Sequence, residues 1–166
     1  SLPHRHLHHA APRCCGAAVD AEADGQPNTT ATGDGADEDG ISIMPVFSRG
    51  QAYTIPISVF NNTGSTARIF GFIDWNGDGD FADAGETLTA LAVSSSASQQ
   101  SVSLTGTTPG TAVTGTFGAR FRLATATTLT STGTTGNGEV EDYIVTGACP
   151  TLSITPASLP ATTQYA

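Results

Sequence analysis

The stretch QAYTIPISVF, residues 51–60, alternates polar and apolar side chains along its length. This period of two is the pattern of a β-strand that buries one face. Pro56 has no backbone N–H, which predicts an edge position or a bulge at that point of the strand. The predicted buried face consists of Tyr53, Ile55, Ile57 and Val59.

Similar alternation recurs along the chain, which contains no credible helix. About seven strands predict an all-β fold, because each half-apolar sheet must cover its face with another sheet. We expect a two-layer antiparallel β-sandwich, Ig-like or jelly-roll-like, with long acidic calcium-binding loops. The turn at 61–64, Asn-Asn-Thr-Gly, is expected to join the second and third strands as a hairpin. The other predicted strands are 41–47, 67–75, 87–93, 99–105, 114–125 and 139–147.

The strand at 114–125 carries both apolar and charged residues in alternation. Arg120 and Arg122 are expected to point outward from the sandwich. The residues expected to point inward are Phe117, Ala119, Phe121 and Leu123.

The composition limits the classes of partner. The 166 residues suffice for one domain with tails, and the formal net charge is -9 with 15 acidic and 6 basic residues, all six of them Arg. An acidic chain is a poor match for nucleic acid or an anionic membrane, and no apolar run is long enough for a membrane span. No nucleophile–base pair or acid pair stands out, so we expect no enzyme.

The acidic residues form four groups separated by long neutral stretches. Carboxylates that only confer solubility would be scattered among basic residues, whereas clustered carboxylates repel one another unless a cation is near. Ca²⁺ takes six to eight oxygen ligands and turns that repulsion into binding free energy. The groups are Asp20, Glu22, Asp24; Asp34, Asp37, Glu38, Asp39; Asp74, Asp78, Asp80, Asp83, Glu86; and Glu139, Glu141, Asp142.

Residues 74–81, DWNGDGDF, fit the first half of an EF-hand-type calcium loop, with Gly79 at the sharp bend. The twelfth loop position, where an EF-hand has its bidentate Glu, is Gly85, and Glu86 comes one place late. The loop is therefore EF-hand-like and lies between strands. The alternative is an Asx-rich turn in which Trp75 simply packs. The candidate calcium ligands are Asp74, Asn76, Asp78, Asp80, Asp83 and Glu86.

Three stretches resemble the GEVED domain, a module of secreted and surface-anchored bacterial proteins: FGFIDWNGDGDFADAGE (70–86), GTFGARFRLAT (115–125) and NGEVEDYIVTG (137–147). The resemblance runs from about Cys15 to Gly147, although the upstream Asp-Tyr/Phe-Gly-Asp-Ala-Pro segment of many members is missing. It implies an extracellular, non-catalytic β-module at the bacterial cell surface, as in adhesins. The predicted organisation is a His-rich arm (1–13), a GEVED-like domain (14–148) and a tail (149–166).

A second acidic site is predicted where two groups come close in space. It is either another metal site or an ion-pair network with Arg120 and Arg122, since outward Arg beside carboxylates is a common arrangement. The acidic residues concerned are Asp37, Glu38, Asp39, Glu139, Glu141 and Asp142.

The ends of the chain carry two further predictions. Either Cys14 or Cys15 forms a disulfide with Cys149 in an oxidising compartment. The tail resembles the start of an Ig-like repeat, and its strand-like TLSIT, with Leu152 and Ile154 on one side, is expected to rest on its own domain or on a neighbouring molecule.

Two functions are compatible with these features. The first is a calcium-stabilised structural or adhesive module, with other copies of itself or neighbouring domains as partners, assembled into a filament by strand exchange through its termini. The alternative is a carbohydrate-binding module for a glycan, although Trp75 is the lone Trp and such modules usually present several coplanar aromatic residues.

Overall fold

A computed structural model of the chain describes the backbone of residues 13–14 and, with side chains, residues 40–133 and 138–150. The predictions for the His-rich arm, for Asp37–Asp39 and for Leu152 and Ile154 fall outside these residues. The described part contains no helix and therefore none that could cross a membrane. Its strands are β1 (Arg13–Cys14), β2 (Val46–Ser48), β3 (Ala52–Phe60), β4 (Ala67–Ile73), β5 (Leu91–Val93), β6 (Gln100–Thr107), β7 (Gly115–Ala124) and β8 (Gly138–Ala148).

The strands form two sheets, one with the order β1-β3-β6 and one with the order β2-β8-β7-β4-β5. The predicted all-β, two-layer fold is confirmed. All pairs are antiparallel except β2 and β8, which are parallel. The predicted strand 41–47 is reduced to β2, and that at 87–93 to β5, with Thr87 forming only an isolated bridge to Phe72.

The core lies between the two sheets. The smaller sheet contributes the predicted apolar face of β3 together with Leu104 of β6, and the larger sheet contributes the inward side of β7. Fully burying one such aliphatic or aromatic side chain stabilises the fold by roughly 1.5–3 kcal/mol. The inward residues of β7 are those predicted, namely Phe117, Ala119, Phe121 and Leu123.

The segment 61–64 does not form the predicted hairpin, because β3 and β4 lie in different sheets. The side chain of Asn61 is fully buried, and its Nδ2 donates to the carbonyls of Ser65 and Val93, each at 2.9 Å. Val93 belongs to β5 of the larger sheet, so this side chain fastens the end of β3 to the opposite layer. Turn-forming residues indicate where the chain reverses but not which sheet it enters.

The prediction for Pro56 agrees with the backbone geometry. The N–H of Ser58 donates to the carbonyl of Gly40 at 2.9 Å, on the side of β3 that faces away from β6. Pro56 lies two residues earlier, so its nitrogen faces the same side. No β6 hydrogen bond is lost there.

Gly147 in β8 lies where no side chain fits. A Cβ on this residue would meet the backbone carbonyl oxygen of Val113 and come within 2.7 Å of Cε1 of Phe117. We expect Gly147→Ala to lower the free energy of unfolding by about 1–3 kcal/mol, as overpacking usually does. Unfolding by denaturant measures this change in the free energy of unfolding.

Gly110 provides the matched control, since a Cβ there meets nothing within 4 Å. Gly110→Ala should stay within about 0.5 kcal/mol of the wild type. Equal unfolding midpoints for the two variants would show that the contact of β8 with residue 113 is not as described.

Candidate metal centre

The acidic loop leaves the larger sheet directly after β4 and is fastened at both ends. Asp74 N–H donates to the carbonyl of Gly118 at 3.0 Å, and Ile73 N–H donates to the carbonyl of Glu86 at 2.9 Å. The indole N–H of Trp75 donates to the carbonyl of Gly85 at 3.1 Å. Its ring is buried in the core against Phe47, Phe117 and Tyr53. The sandwich itself therefore holds the loop.

The side chain of Asp74 organises the turn. Its Oδ1 accepts the N–H of Gly77 at 2.6 Å and of Asp78 at 3.2 Å, and its Oδ2 accepts the N–H of Gly79 at 3.0 Å. Gly77 and Gly79 have φ values of 74° and 94°, in the left-handed region that favours glycine. The sharp bend predicted at Gly79 is present.

Three exposed carboxylates meet outside this turn. One oxygen each of Asp78, Asp80 and Asp83 lies within 4.8 Å of the others, so this group could hold a metal ion. The Nδ2 of Asn76 donates to Oδ2 of Asp78 at 3.0 Å and to Oδ2 of Asp83 at 2.6 Å. The amide thus already joins two of the predicted ligands.

Glu86 lies beside this group with only 1% of its surface exposed. Its Oε2 accepts the N–H of Asp83 at 3.1 Å, while its Oε1 is buried with no hydrogen-bond partner among the described residues. Burial raises the pKa of Glu86, and the nearby charges of Asp74 and Asp83 raise it further, against an opposing effect of backbone N–H groups. A buried carboxylate oxygen without a donor is costly unless a cation binds it.

The structure therefore divides the six predicted ligands by position. Asp78, Asp80 and Asp83 form the exposed group, and Glu86 lies buried beside it. Asp74 and Asn76 support the loop. A carboxylate has about four acceptor sites, so the three hydrogen bonds to Asp74 leave one site that could still bind an ion. The Asx-turn alternative describes the same loop, since Trp75 packs in the core and Asx side chains accept local N–H groups.

Arg120 and Asp142 form a buried bidentate pair on the outer face of the larger sheet. Arg120 Nε donates to Oδ1 of Asp142 at 2.6 Å and Nη2 donates to Oδ2 at 2.5 Å. The two residues are directly opposite in β7 and β8, and the Arg side chain is 0% exposed. Pairing and hydrogen bonding of this kind are what a fully buried guanidinium requires.

Arg120 and Arg122 lie on the outward face as predicted, and both are buried there. Arg120 Nη1 donates to the carbonyl of Ser131 at 3.0 Å. Arg122 Nη1 donates to the carbonyls of Thr130 at 2.6 Å and Thr132 at 3.0 Å. The segment after β7 folds back over this face because the guanidinium groups satisfy its carbonyls.

Sequence reasoning missed this covering segment, although a signal was present. Phe70 and Phe72 lie opposite Arg122 and Arg120 in the register of β4 with β7, so they share the outer face. With Ile69 and Ile73 on its inner face, β4 carries large apolar residues on both faces, which indicates that both faces are covered.

The acidic residues of the last strand divide between its two faces. Asp142 lies on the outer face with Arg120, whereas Glu141 lies opposite Phe121 on the core side. The hydroxyl of Tyr143 donates to Oε2 of Glu141 and accepts the N–H of Ile41 at 3.1 Å. A Cβ on Gly40 would come within 2.7 Å of the same carboxylate oxygen. Glu139 shares the side of Glu141 by its register opposite Leu123.

Glu141 and Asp142 therefore do not converge on one centre, and Asp37, Glu38 and Asp39 lie outside the described residues. The thiol of Cys149 is exposed and forms no disulfide with any side chain that the structure describes. The side chains of Cys14 and Cys15 are also outside the described residues, so the disulfide stays a prediction.

Residues 68–146 match the family model of the GEVED domain. This stretch is a GEVED domain. It begins in β4 and ends in β8, so the GEVED domain includes the acidic loop, the Arg120–Asp142 pair and Glu141. It also lies inside the predicted range 14–148, whose exact limits stay a prediction. The comparison with curated proteins finds no match to this chain.

Asp142→Asn leaves the Arg120 charge of the GEVED domain buried without its countercharge. We expect the free energy of unfolding to fall by about 3–5 kcal/mol, the usual cost of breaking a buried pair from one side. Chemical denaturation measures this loss.

The double variant Arg120→Met with Asp142→Leu removes both charges and should lose less than Asp142→Asn alone. Additive losses from the single substitutions would contradict the coupling between the two residues.

Proposed function

We propose that this chain is an extracellular, non-catalytic module of a bacterial surface protein, in which Ca²⁺ bound by the acidic loop between β4 and β5 stabilises the β-sandwich. Its role is structural or adhesive. The GEVED match over residues 68–146 supports the module, and the family resemblance supports the location. The fold supports a scaffold role, since the described residues are strands and loops around one core.

The observation that carries the calcium proposal is the unsatisfied Oε1 of Glu86. It is buried beside a group of three carboxylates whose oxygens lie within 4.8 Å of one another. Like charges at this spacing raise the free energy of the loop, and a divalent cation between them reverses the sign of that contribution. Glu86, whose Oε2 already accepts the N–H of Asp83, would add its carboxylate to the three as a ligand of the ion.

The donor chemistry favours Ca²⁺ among the common metal ions. The segment 74–86 contains carboxylate, amide and carbonyl oxygens and neither His nor Cys, which excludes the usual ligands of zinc and copper. An irregular loop with several carboxylates matches the flexible coordination of Ca²⁺ better than the strict octahedron that Mg²⁺ demands.

Binding in this loop would reach the core directly. Trp75 follows Asp74 and packs against Phe47 and Phe117, and the backbone carbonyl of Glu86 accepts the N–H of Ile73 in β4. An ion that fixes Glu86 and Asp83 therefore also fixes the end of β4 in the larger sheet. Because the unfolded chain does not hold these ligands together, the binding free energy adds to stability.

The proposed assembly of the module uses its termini. The tail that follows Pro150 carries the strand-like sequence TLSIT, and other copies of the chain or neighbouring domains of a surface protein are the proposed partners. A carbohydrate-binding role has less support, since the lone Trp is 4% exposed and its ring packs in the core. Trp75 is therefore not available on the surface to stack against a glycan.

Calcium titration followed by thermal melting tests the proposal. At a concentration about 100 times the dissociation constant, Ca²⁺ should stabilise the protein by about 2.7 kcal/mol. The melting temperature should then rise by several degrees over that in EDTA, at roughly 2–4 °C per kcal/mol. Additional NaCl at the same ionic strength should not reproduce the rise, because screening alone does not fill the site.

Glu86→Gln separates this site from general effects of charge. In EDTA the variant should melt at or above the temperature of the wild type, since it replaces a buried carboxylate near Asp74 and Asp83 by a neutral amide. In Ca²⁺ it should show little or no rise. A full calcium response in this variant would remove Glu86 from the site, and a wild type insensitive to EDTA would remove the calcium proposal.

A further inference from the structure

The outer edge of β6 carries unpaired backbone groups. β6 pairs with β3 over Ala52–Val59, and no other described strand pairs with it. Thr108 N–H donates to the carbonyl of Gln51, and the carbonyl of Thr108 accepts the N–H of Gly50. Because backbone groups alternate in direction along a strand, the even-numbered residues of β6 point their N–H and C=O groups toward β3. The residues whose N–H and C=O groups face outward are therefore Ser101, Ser103, Thr105 and Thr107.

This edge lacks the features that usually protect an edge strand. Natural edges are short, bulged, or interrupted by proline or charge. β6 has eight residues, contains neither proline nor a charged side chain, and keeps an unbroken register with β3. The outer side of β3 is interrupted by Pro56, and the outer strands β2 and β5 of the larger sheet have three residues each. Among the described strands, β6 therefore has the edge best suited to pair with an additional strand.

The tail of the chain repeats the side-chain pattern of this strand. Residues 101–105 read SVSLT and residues 151–155 read TLSIT, so polar and aliphatic residues alternate in the same phase. In β6 the aliphatic Leu104 is buried, while Ser103 and Thr105 are exposed. A strand with this pattern added to the edge continues both faces, with Leu152 and Ile154 on the core side.

The route of the chain favours a second molecule as the source of that strand. β8 ends beside Arg49, where the carbonyl of Ala148 accepts the Arg49 N–H at 3.3 Å, on the β3 side of β6. The connection from β6 to β7 passes the same place, since Ala112 accepts from Arg49 Nε and Val113 packs on Gly147. The linker Cys149–Pro150 gives at most about 10 Å to residue 151, and the connection from β6 to β7 lies beside that path, which favours an edge on another molecule.

We propose that the outer edge of β6 in one molecule accepts residues 151–155 of a second copy as an added antiparallel strand. The inference rests on the strand exchange in the proposed function and names the surface that receives the strand. Main-chain hydrogen bonds to the outward residues of β6 hold the added strand, and the alternate side chains fix its register. The sixteen residues after Pro150 are more than such a strand needs.

Two full-length variants separate the donor from the acceptor. The double variant Leu152→Asp with Ile154→Asp replaces the aliphatic residues of the tail by charged ones and leaves β6 intact. Ser103→Pro spoils the edge and leaves the tail intact, and it removes an outward N–H that β3 does not use. The control Ser103→Thr keeps that N–H. Where Ser103→Pro fails to fold by thermal melting, Ser101→Pro replaces it at the beginning of the strand.

Sedimentation velocity in Ca²⁺ with reductant present measures the assembly. The wild type and Ser103→Thr should form oligomers whose mass grows with concentration, whereas each blocked variant should sediment as one chain. An equimolar mixture of the two blocked variants should give a heterodimer, because one intact tail meets one intact edge.

Three results would overturn the inference. In the first, the wild type stays monomeric while both blocked variants melt lower, which means that the tail covers its own domain. In the second, oligomers persist in Ser103→Pro, which means that another surface receives the tail. In the third, the mixture gives no heterodimer. The calcium response of the monomeric variants is measured separately, so a failure of the calcium site and a failure of this edge give different results.

Discussion

A charge removed from water must meet an opposite charge, and that constraint governs both polar regions of this β-sandwich. On the outer face of the larger sheet the constraint is met, because Asp142 and the carbonyls of residues 130–133 surround two buried guanidinium groups. In the loop after β4 the described residues do not meet it, because one oxygen of Glu86 is buried among acidic neighbours with no donor from this part of the chain. The first region stabilises the fold, and the second is where we propose that a cation binds.

The last strand, β8, places its two neighbouring carboxylates on opposite faces of the larger sheet. Alternation places Asp142 on the outer face, where it holds Arg120, and Glu141 on the core side, where it meets Tyr143 and the backbone before β2. A shift of β8 by one residue would exchange these faces and leave both carboxylates with the wrong partners. The different partners of Glu141 and Asp142 thus help to fix the register of β8 in the sheet.

Much of the fold could be predicted because its strands alternate so regularly. The buried face of β3 and the inward face of β7 follow from a period of two, and the acidic loop follows from the spacing of its carboxylates. The sequence at 61–64 did not reveal that the chain passes from one sheet to the other there. The sheet that β4 joins depends on a contact between Asn61 and the distant Val93. The burial of Arg120 and Arg122 likewise depends on a segment whose own pattern gives no sign of where it folds.

The residues of the candidate site could be predicted from the sequence, but not which of them are exposed, which are buried and which support the loop. Local spacing indicated which oxygens gather, whereas the burial of Glu86 is a property of the folded sheet, fixed by its bond to Ile73. The most direct measurement is anomalous diffraction from crystals grown with Ca²⁺. A single peak is expected in the loop, in contact with Glu86 Oε1 and the carboxylates of Asp78, Asp80 and Asp83. Well-ordered density for this loop without any peak, and with Glu86 turned to a protein donor, would contradict it.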